Sequence, residues 1–441
     1  MEKQYFERNI DTTLRAWAKE SNRKPLLLRG ARQVGKSAAI KHLAQQFDYF
    51  VEVNFEEQKQ VHNLFKGDLS PQELCENLAI FFKTPIIAGK TLLFFDEIQA
   101  CIPAISALRF FYEKYPNLHL VAAGSLLEFA LQELLSFGVG RVRSLFVYPF
   151  SFDEFLGACG ELHLLAAKQQ ASLAKPLPEP IHLQLLTQFK RFLVLGGMPE
   201  IVATFATSQD LLSCQMALDD LIISLKADFG KYKKRVPSLR ILEIFESVTR
   251  QMGGKFVYQK AAIETNHKQI KEAIELLIMA GLVIPVTHTS ANGIPLGAES
   301  DVKKQKMLLL DTGIFQRLLG LDITAILFEE GMNVVNKGAI AELFVGLELL
   351  KAASCYQQQT LYYWHRETAS SHAEIDYVVQ QRENIIPIEV KSGRKGAMQS
   401  LHLFLKEKNS KVGVRFSLEN YGMYDNIWVY PLYAVADFAR K

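Results

Sequence analysis

The sequence lacks most features of a secreted or membrane-inserted protein. Its 441 residues contain only five cysteines, scattered with no C-x-x-C pair, which argues against a disulfide framework and a zinc site. The amino-terminal residues are polar and have no apolar core of a signal peptide. The longest apolar stretch, 118–131, contains His119 and Glu128 and is too short to span a bilayer. These absences predict a cytoplasmic protein.

The chain also has neither an excess of one charge nor a low-complexity segment. The net charge is only +3, so charge alone does not indicate a nucleic-acid partner. No internal repeat is found. With 49% hydrophobic and 22% charged residues the chain can bury a sizeable core, and its length predicts two or three domains.

A phosphate-binding loop, by contrast, is present in full. Leu26, Leu27 and Leu28 predict a short buried strand, residues 30–37 fit G-x-x-x-x-G-K-[ST] at every fixed position, and a helix-forming segment follows. Strand, glycine-rich loop and helix are the context that this motif requires. The predicted nucleotide-binding residues are Gly30, Ala31, Arg32, Gln33, Val34, Gly35, Lys36, Ser37 and Ala38.

The residue types of this loop match phosphate chemistry. Gly30 and Gly35 let successive backbone N–H groups point into one concavity at a helix N-terminus, which favours an anion. Lys36 can place an ammonium on the β- and γ-phosphates, and the Ser37 hydroxyl can ligate Mg²⁺.

A second apolar strand, 91–95, ends in two carboxylates, Asp96 and Glu97. Beside the phosphate loop, Asp96 would hold Mg²⁺ and Glu97 would orient or deprotonate the attacking water. A base of this kind favours a hydrolase over a simple nucleotide binder. Strand 118–125 ends in Ser125, which can sense the γ-phosphate or hold the attacking water. The alternative is a cap of the following helix, and Ser125 can do both.

The order of elements predicts an α/β fold, a parallel sheet of five strands with helices on both faces. The fifth strand is predicted over 142–148. Arg141, just before it, is a candidate to stabilise charge on the transferred phosphate, in its own chain or a neighbour's, and a solvated loop arginine is the alternative.

Beyond residue 155 the pattern changes. Residues 161–180 predict a linker or an insertion, and the helical patterns up to 235 predict a lid. The basic run 231–235 is a solvated loop or a contact to a phosphate backbone.

Residues 237–290 predict helix, short helix, helix and strand, the order of a winged helix. Its third helix carries charges of mixed sign, which favours a structural or protein-contact role over sequence reading.

A second group of polar residues lies near the carboxyl terminus. Asp376 and Glu389-Val390-Lys391 follow the D…E-x-K spacing of restriction-type nucleases, and Glu342 lies on an apolar helix upstream. Two carboxylates can chelate Mg²⁺ while a lysine orients or deprotonates water. Salt bridges at strand edges are the alternative interpretation, and fold alone does not establish cleavage.

Because it contains both groups of residues in this order, the chain resembles prokaryotic AAA-type ATPases that carry a carboxyl-terminal domain of unknown function. The resemblance rests on the ordered segments 30–37, 92–99, 122–127, 140–155, 196–200, 306–320, 337–345 and 374–393. It implies ATP with Mg²⁺, an AAA+ core at 1–155, a lid and linker at 156–235, a winged helix at 236–325 and a PD-(D/E)xK nuclease-like domain at 326–441. It also implies that Lys36 and Ser37 bind phosphate and Mg²⁺, Asp96 holds Mg²⁺, Glu97 is the base, Ser125 the sensor and Arg141 the charge stabiliser. One departure is Ile375-Asp376, where the nuclease pattern usually has Pro-Asp.

Three functions remain open on the sequence. The first is an ATPase that drives a DNA or protein partner and uses its carboxyl-terminal domain as a binding module. Such an ATPase could act as a homo-oligomer. The second is an ATP-regulated, Mg²⁺-dependent DNA nuclease that uses Glu342, Asp376, Glu389 and Lys391. The third is a signalling or defence switch with tight nucleotide binding and slow turnover.

Overall fold

A computed structural model describes residues 4–67, 70–133, 140–232, 236–261, 266–323, 337–366, 373–393 and 398–440. The chain forms two compact units. The first comprises residues 1–149 with the short segments 279–281 and 354–358. The second comprises residues 150–278, 282–353 and 359–441.

The first unit is built on a five-stranded parallel sheet in the order β2-β3-β4-β1-β5. Its strands are β1 (Leu26–Arg29), β2 (Tyr49–Asn54), β3 (Thr91–Asp96), β4 (His119–Ala123) and β5 (Arg143–Phe146). Its helices are α1 (Asn9–Ala18), α2 (Lys36–Ala44), α3 (Pro71–Phe82), α4 (Ile102–Lys114) and α5 (Leu127–Glu133). The predicted α/β sheet is confirmed.

Burial on both faces explains why the central strands are continuous apolar runs. Every residue of β3 and β4 is buried. On one face, Phe95 packs edge-to-face against Phe55, Phe65 and Phe111, with ring centroids 5.5 to 6.1 Å apart. This packing fixes the strand that carries Asp96.

The outer strand β5 is shorter than predicted. Only residues 143–146 pair with β1, in the register Leu26 to Arg143 and Arg29 to Phe146. Beyond the pairing with β1, the amide of Phe146 donates to the carbonyl of Cys355 at 2.8 Å. The short segment 354–358 therefore belongs to the amino-terminal unit although it follows most of the chain.

The second unit begins with helices. They are α6 (Phe152–Ala158), α7 (Leu162–Gln170), α8 (Glu179–Leu195), α9 (Pro199–Ser208), α10 (Leu211–Asp228), α11 (Ser238–Arg250), α12 (His267–Met279) and α13 (Thr312–Leu318). A phenylalanine cluster joins several of them, with Phe192 packed against Phe152, Phe155 and Phe344 at centroid distances of 5.1 to 6.0 Å. Residues 156–235 are thus mainly helical where described; the lid role stays a prediction.

Eight strands form the sheet of this unit, in the order β12-β13-β11-β10-β9-β8-β6-β7. They are β6 (Val283–Thr289), β7 (Ser300–Leu309), β8 (Leu361–His365), β9 (Glu374–Gln381), β10 (Asn384–Val390), β11 (Gly413–Ser417), β12 (Gly422–Tyr424) and β13 (Ile427–Pro431). Three further helices are α14 (Lys337–Ala352), α15 (Gln399–Glu407) and α16 (Val435–Ala439).

The hairpin β6–β7 follows α12, in agreement with the predicted order of helix and strand. It also pairs with β8, so that one sheet continues across the predicted boundary at 325. The winged-helix and nuclease-like assignments stay predictions. No helix in the described ranges is both long and apolar enough to cross a lipid bilayer.

Two distant motifs of the second unit meet at a buried carboxylate. Asp311 caps α13 by accepting hydrogen bonds from the amides of Gly313 and Ile314 at 2.9 and 3.0 Å. Its other oxygen accepts from the amide of Gly197 at 2.6 Å. The turn before α9 is therefore joined to the start of α13.

Candidate functional site

The phosphate loop connects β1 to α2. Gly30 has φ of 142°, and a Cβ atom there would lie 2.1 Å from the carbonyl oxygen of Val147, so only glycine fits. Gly35 adopts φ of 92° as the residue before α2. Gly30 is thus required by its close contact with the backbone of Val147, and Gly35 is favoured by its positive φ.

Lys36, the first residue of α2, is buried. Its ammonium donates to the carbonyls of Gly30 and Ala31 at 2.9 and 2.7 Å, within the loop itself. Burial lowers the pKa of Lys36 to about 8, although Glu97 and Asp96 act in the opposite direction. The ammonium therefore lies at the loop, within the field of both carboxylates.

Ser37 and Asp96 are brought together as predicted. The Ser37 hydroxyl donates to Asp96 Oδ2 at 3.0 Å, with Oδ1 at 3.2 Å. Burial raises the pKa of Asp96. A hydroxyl and a carboxylate in contact are oxygen ligands of the kind that Mg²⁺ prefers, so these residues fit the ion.

Glu97 lies in a left-handed backbone conformation, with φ of 47° and ψ of 44°. Its Oε2 atom accepts hydrogen bonds from Gln99 Nε2 at 2.6 Å and from Ser125 Oγ at 3.1 Å. The Glu97 amide donates to Asp96 Oδ1 at 3.0 Å. The predicted base and sensor are therefore in direct contact, at the ends of β3 and β4.

The structure does not place Arg141 beside the phosphate loop, Asp96 and Glu97. This arginine precedes β5, whose first residue Arg143 pairs with Leu26, the first residue of β1. The phosphate loop follows the other end of β1, so Arg141 lies at the opposite edge of the sheet. There it forms an ion pair with Glu113 of α4. A role in its own chain finds no support in this placement, and a role in a neighbouring copy stays a prediction.

Two residues near the loop were missed from the sequence. Gln99 follows Glu97 by two positions, and no motif singles it out. Arg8 lies far upstream, yet its guanidinium donates to the carbonyls of Val34 and Tyr148 at 3.3 and 2.8 Å. Arg8 thereby connects the amino-terminal segment to the phosphate loop. Only a three-dimensional contact reveals it, since 26 residues separate Arg8 from Val34.

The carboxyl-terminal group forms a cluster on the eight-stranded sheet and α14. Lys391 pairs with Glu389, and Asp376 Oδ2 accepts from the amide of Val390 at 2.7 Å. Glu342 is buried on α14. Burial raises the pKa of Asp376 well above its ordinary value and also raises that of Glu389. The four predicted residues are thus gathered on adjacent elements.

One further member, Lys306 of β7, was missed. Its ammonium lies 2.8 Å from Glu342 Oε1, 2.5 Å from Glu374 Oε1 and 3.9 Å from Asp376 Oδ1. Burial alone would lower the pKa of Lys306, but the surrounding carboxylates raise it. Within the parts of the chain that the structure describes, no three His, Cys, Asp or Glu side chains are placed to hold one metal ion.

The basic run 231–235 lies mostly outside the described residues, since 233–235 are not among them. Its role stays a prediction.

Comparison with known families divides the chain into three matches. Residues 22–156 match the AAA domain, residues 186–324 match a domain of unknown function (DUF8612), and residues 337–435 match another (DUF4143). The amino-terminal unit therefore carries a P-loop ATPase domain of the AAA type. A comparison with curated proteins finds no match.

Several solved structures are similar in part. The Walker-type ATPase PABY2304 of Pyrococcus abyssi is 13% identical over 72% of this chain and 97% of its own, with a TM-score of 0.45. The Aeropyrum pernix ORC1 protein in complex with DNA is 13% identical over 74% and 95%, with a TM-score of 0.30. Drosophila ORC bound to DNA is 16% identical over 73% and 88%, with a TM-score of 0.27. At scores below 0.5 the likeness does not extend to function or partners.

Proposed function

We propose that this protein hydrolyses ATP with Mg²⁺ and couples hydrolysis to a DNA or protein partner through its carboxyl-terminal domain. The observation that carries the proposal is the contact of Glu97 with Ser125 beside the Ser37–Asp96 pair. A carboxylate base, an oxygen pair suited to Mg²⁺ and a phosphate loop meet at the ends of three adjacent strands.

Each residue has a task in this reaction. The loop amides and the Lys36 ammonium bind the β- and γ-phosphates. Lys36 exchanges its hydrogen bonds to the loop carbonyls for phosphate oxygens. Mg²⁺, held by Ser37 and Asp96, would neutralise phosphate charge.

Glu97 acts on the attacking water. Its carboxylate takes the proton as the water oxygen bonds to the γ-phosphorus. The bond from the γ-phosphorus to the bridging oxygen breaks, and ADP and inorganic phosphate are the products. Ser125 and Gln99 fix the carboxylate for this step.

Coupling to a partner is supported by chain organisation. The second unit combines the helices α11 and α12 and the hairpin β6–β7 with a sheet on which the side chains of Glu374 and Lys391 are partly exposed. Mixed charge of this kind suits a specific contact to a protein or to nucleic acid.

Phosphate release from ATP tests the proposal. Lys36→Ala should abolish turnover by weakening nucleotide binding. Glu97→Gln should reduce turnover at least ~100-fold and keep nucleotide binding, because only the base is lost. Lys41→Ala is the matched control, since Lys41 lies on the same helix with its side chain 55% exposed. Unchanged turnover in Lys36→Ala would refute the proposal.

A switch with slow turnover is the alternative favoured by the same contacts. The Lys36 ammonium is bonded to the loop carbonyls, so it must rearrange before it can contact the phosphates. Tight nucleotide binding with very slow phosphate release in the wild type would favour the switch.

A Mg²⁺-dependent DNA nuclease is the other alternative, suggested by Lys391 beside Glu389. Cleavage of single- and double-stranded DNA with Mg²⁺ or Mn²⁺, in the presence of ATP, tests it. Loss of cleavage in Lys391→Ala would establish a nuclease. Absence of cleavage in the wild type would leave the domain as a docking module.

A further inference from the structure

Lys306 is an unusual residue to find inside a sheet. Only 2% of its side chain is exposed, and its ammonium lies within 4 Å of carboxylate oxygens from Glu342, Glu374 and Asp376. The face of the Tyr363 ring lies 5.2 Å from the same nitrogen. A buried ammonium is tolerated only where several partners compensate it, and the three carboxylates and the ring do so.

The carboxylates around Lys306 are those that a metal ion of a nuclease-like site would use. Asp376 already directs one oxygen to the amide of Val390, and Glu389 directs Oε1 to Lys391. Glu389 Oε2 is buried with no hydrogen-bond partner among the described residues. Among the described residues this oxygen therefore has no donor.

A divalent ion at this position would meet the ammonium. Mg²⁺ binds carboxylate oxygens at about 2.1 Å. An ion bound to Glu342 Oε1, which lies 2.8 Å from the Lys306 nitrogen, would be within about 5 Å of that nitrogen. The ammonium already occupies Glu342 Oε1 and Glu374 Oε1, so a divalent ion would have to displace it from those oxygens. The residues present therefore do not fit a divalent metal together with Lys306.

We propose that the Lys306 ammonium takes the place of a divalent cation in this cluster, so that the full chain binds no Mg²⁺ or Mn²⁺ there. The cluster is then a permanently compensated ionic group, and the sheet face around it does not activate water through a metal. This inference stands apart from ATP hydrolysis, which uses the other unit.

Removing the positive charge of Lys306 should allow a divalent cation to bind in the cluster. In Lys306→Met the ammonium is lost while a side chain of similar length remains. Glu342 and Asp376 then lose the cation that compensates them and become available to a divalent ion. We expect one strong Mn²⁺ site per chain, with at least ~10-fold tighter binding than in the wild type.

Titration of Mn²⁺ followed by electron paramagnetic resonance tests the inference on the full chain without nucleotide. An Asp96→Asn background in every arm removes the carboxylate beside Ser37, which is the other candidate Mn²⁺ ligand of the chain. The wild type should leave Mn²⁺ free, Lys306→Met should bind it, and Lys306→Met with Asp376→Asn should lose it again. Lys306→Arg, which keeps the charge, should behave as the wild type.

Two results would overturn the inference. One is Mn²⁺ binding by the wild-type chain that Asp376→Asn removes. The other is a Lys306→Met chain, folded by circular dichroism, that binds no more Mn²⁺ than the wild type. Should Lys306→Met fail to fold, the comparison of the wild type with Asp376→Asn still decides.

Discussion

The carboxylate of Glu97 accepts a hydrogen bond from the hydroxyl of Ser125 at 3.1 Å, although 28 residues separate them. The parallel register of β3 and β4 makes this contact, because the two residues follow the carboxyl ends of neighbouring strands. The candidate base is thus held by a residue that would also face the γ-phosphate. Binding of the phosphate and orientation of the base are thereby connected.

Gln99 provides the other hydrogen bond to Glu97 and gives a direct test of this arrangement. In Gln99→Ala the carboxylate gains rotational freedom, so we expect the kcat for ATP to fall roughly 10-fold with nucleotide affinity unchanged. Steady-state phosphate release and a nucleotide-binding titration separate the two quantities. Gln72→Ala, an exposed glutamine of the same unit, is the control. Equal kcat in both variants would contradict a positioning role.

Nucleotide affinity should depend on pH through Lys36. Its pKa is lowered to about 8, chiefly by burial, so the side chain is charged below that pH and becomes neutral above it. Because the charged form attracts phosphate, affinity for ATP should fall roughly 10-fold from about pH 7 to about pH 9. Titration with a fluorescent ATP analogue at several pH values measures this. The dependence should disappear in Lys36→Arg, whose charge persists, and a flat wild-type profile would speak against the assignment.

Arg141 lies at the far edge of its own sheet, so a role in hydrolysis would require the nucleotide of a neighbouring copy. Arg141→Ala should lower kcat by roughly 10³-fold with ATP affinity retained. Mixing Arg141→Ala with Lys36→Ala should restore part of the turnover, because one chain then supplies the loop and the other the arginine. Arg109→Ala is the control on α4. Full activity in Arg141→Ala would show that the arginine is only a surface ion-pair partner of Glu113.

Asp311 should be among the most sensitive positions for stability in the second unit. Asp311→Ala leaves the amides of Gly197, Gly313 and Ile314 without their acceptor, at a cost of about 3 kcal/mol. We expect the Tm to fall by roughly 5 °C or more in a thermal melt. Asp210→Ala, which removes an exposed cap at the start of α10, should lower the Tm much less. Similar losses in both variants would contradict the bridging role of Asp311.

The phosphate loop was predictable from the sequence because its chemistry is local. Gly30, Gly35 and Lys36 act through backbone geometry and a helix start that adjoining residues determine. Asp96 and Glu97 could be added because a polar pair after an apolar strand has a defined place in a parallel sheet. The contact of Ser37 with Asp96 follows from that topology.

The long-range partners could not be predicted in this way. Lys306 lies 36 residues from Glu342 in sequence, on a strand assigned to a different predicted domain. Its position depends on the pairing of β6 with β8, which only the folded sheet defines. Arg141 shows the opposite case, in which strand register places a motif position away from the phosphate loop of its own chain. Periodicity indicates which residues are inward, but not which inward residues meet.

The bond between Phe146 and Cys355 has a consequence for biosynthesis. Strand β5 is the outer strand of the amino-terminal sheet, and among the described residues its other edge is paired by the segment 354–358. A ribosome that has translated the whole AAA domain has not yet made that segment, so the nascent sheet keeps an open edge while the second unit is being synthesised. An exposed edge of this kind readily pairs with another chain. A fragment that ends at the domain boundary, residue 156, would carry this edge permanently, and we expect it to self-associate in a way that the complete chain does not.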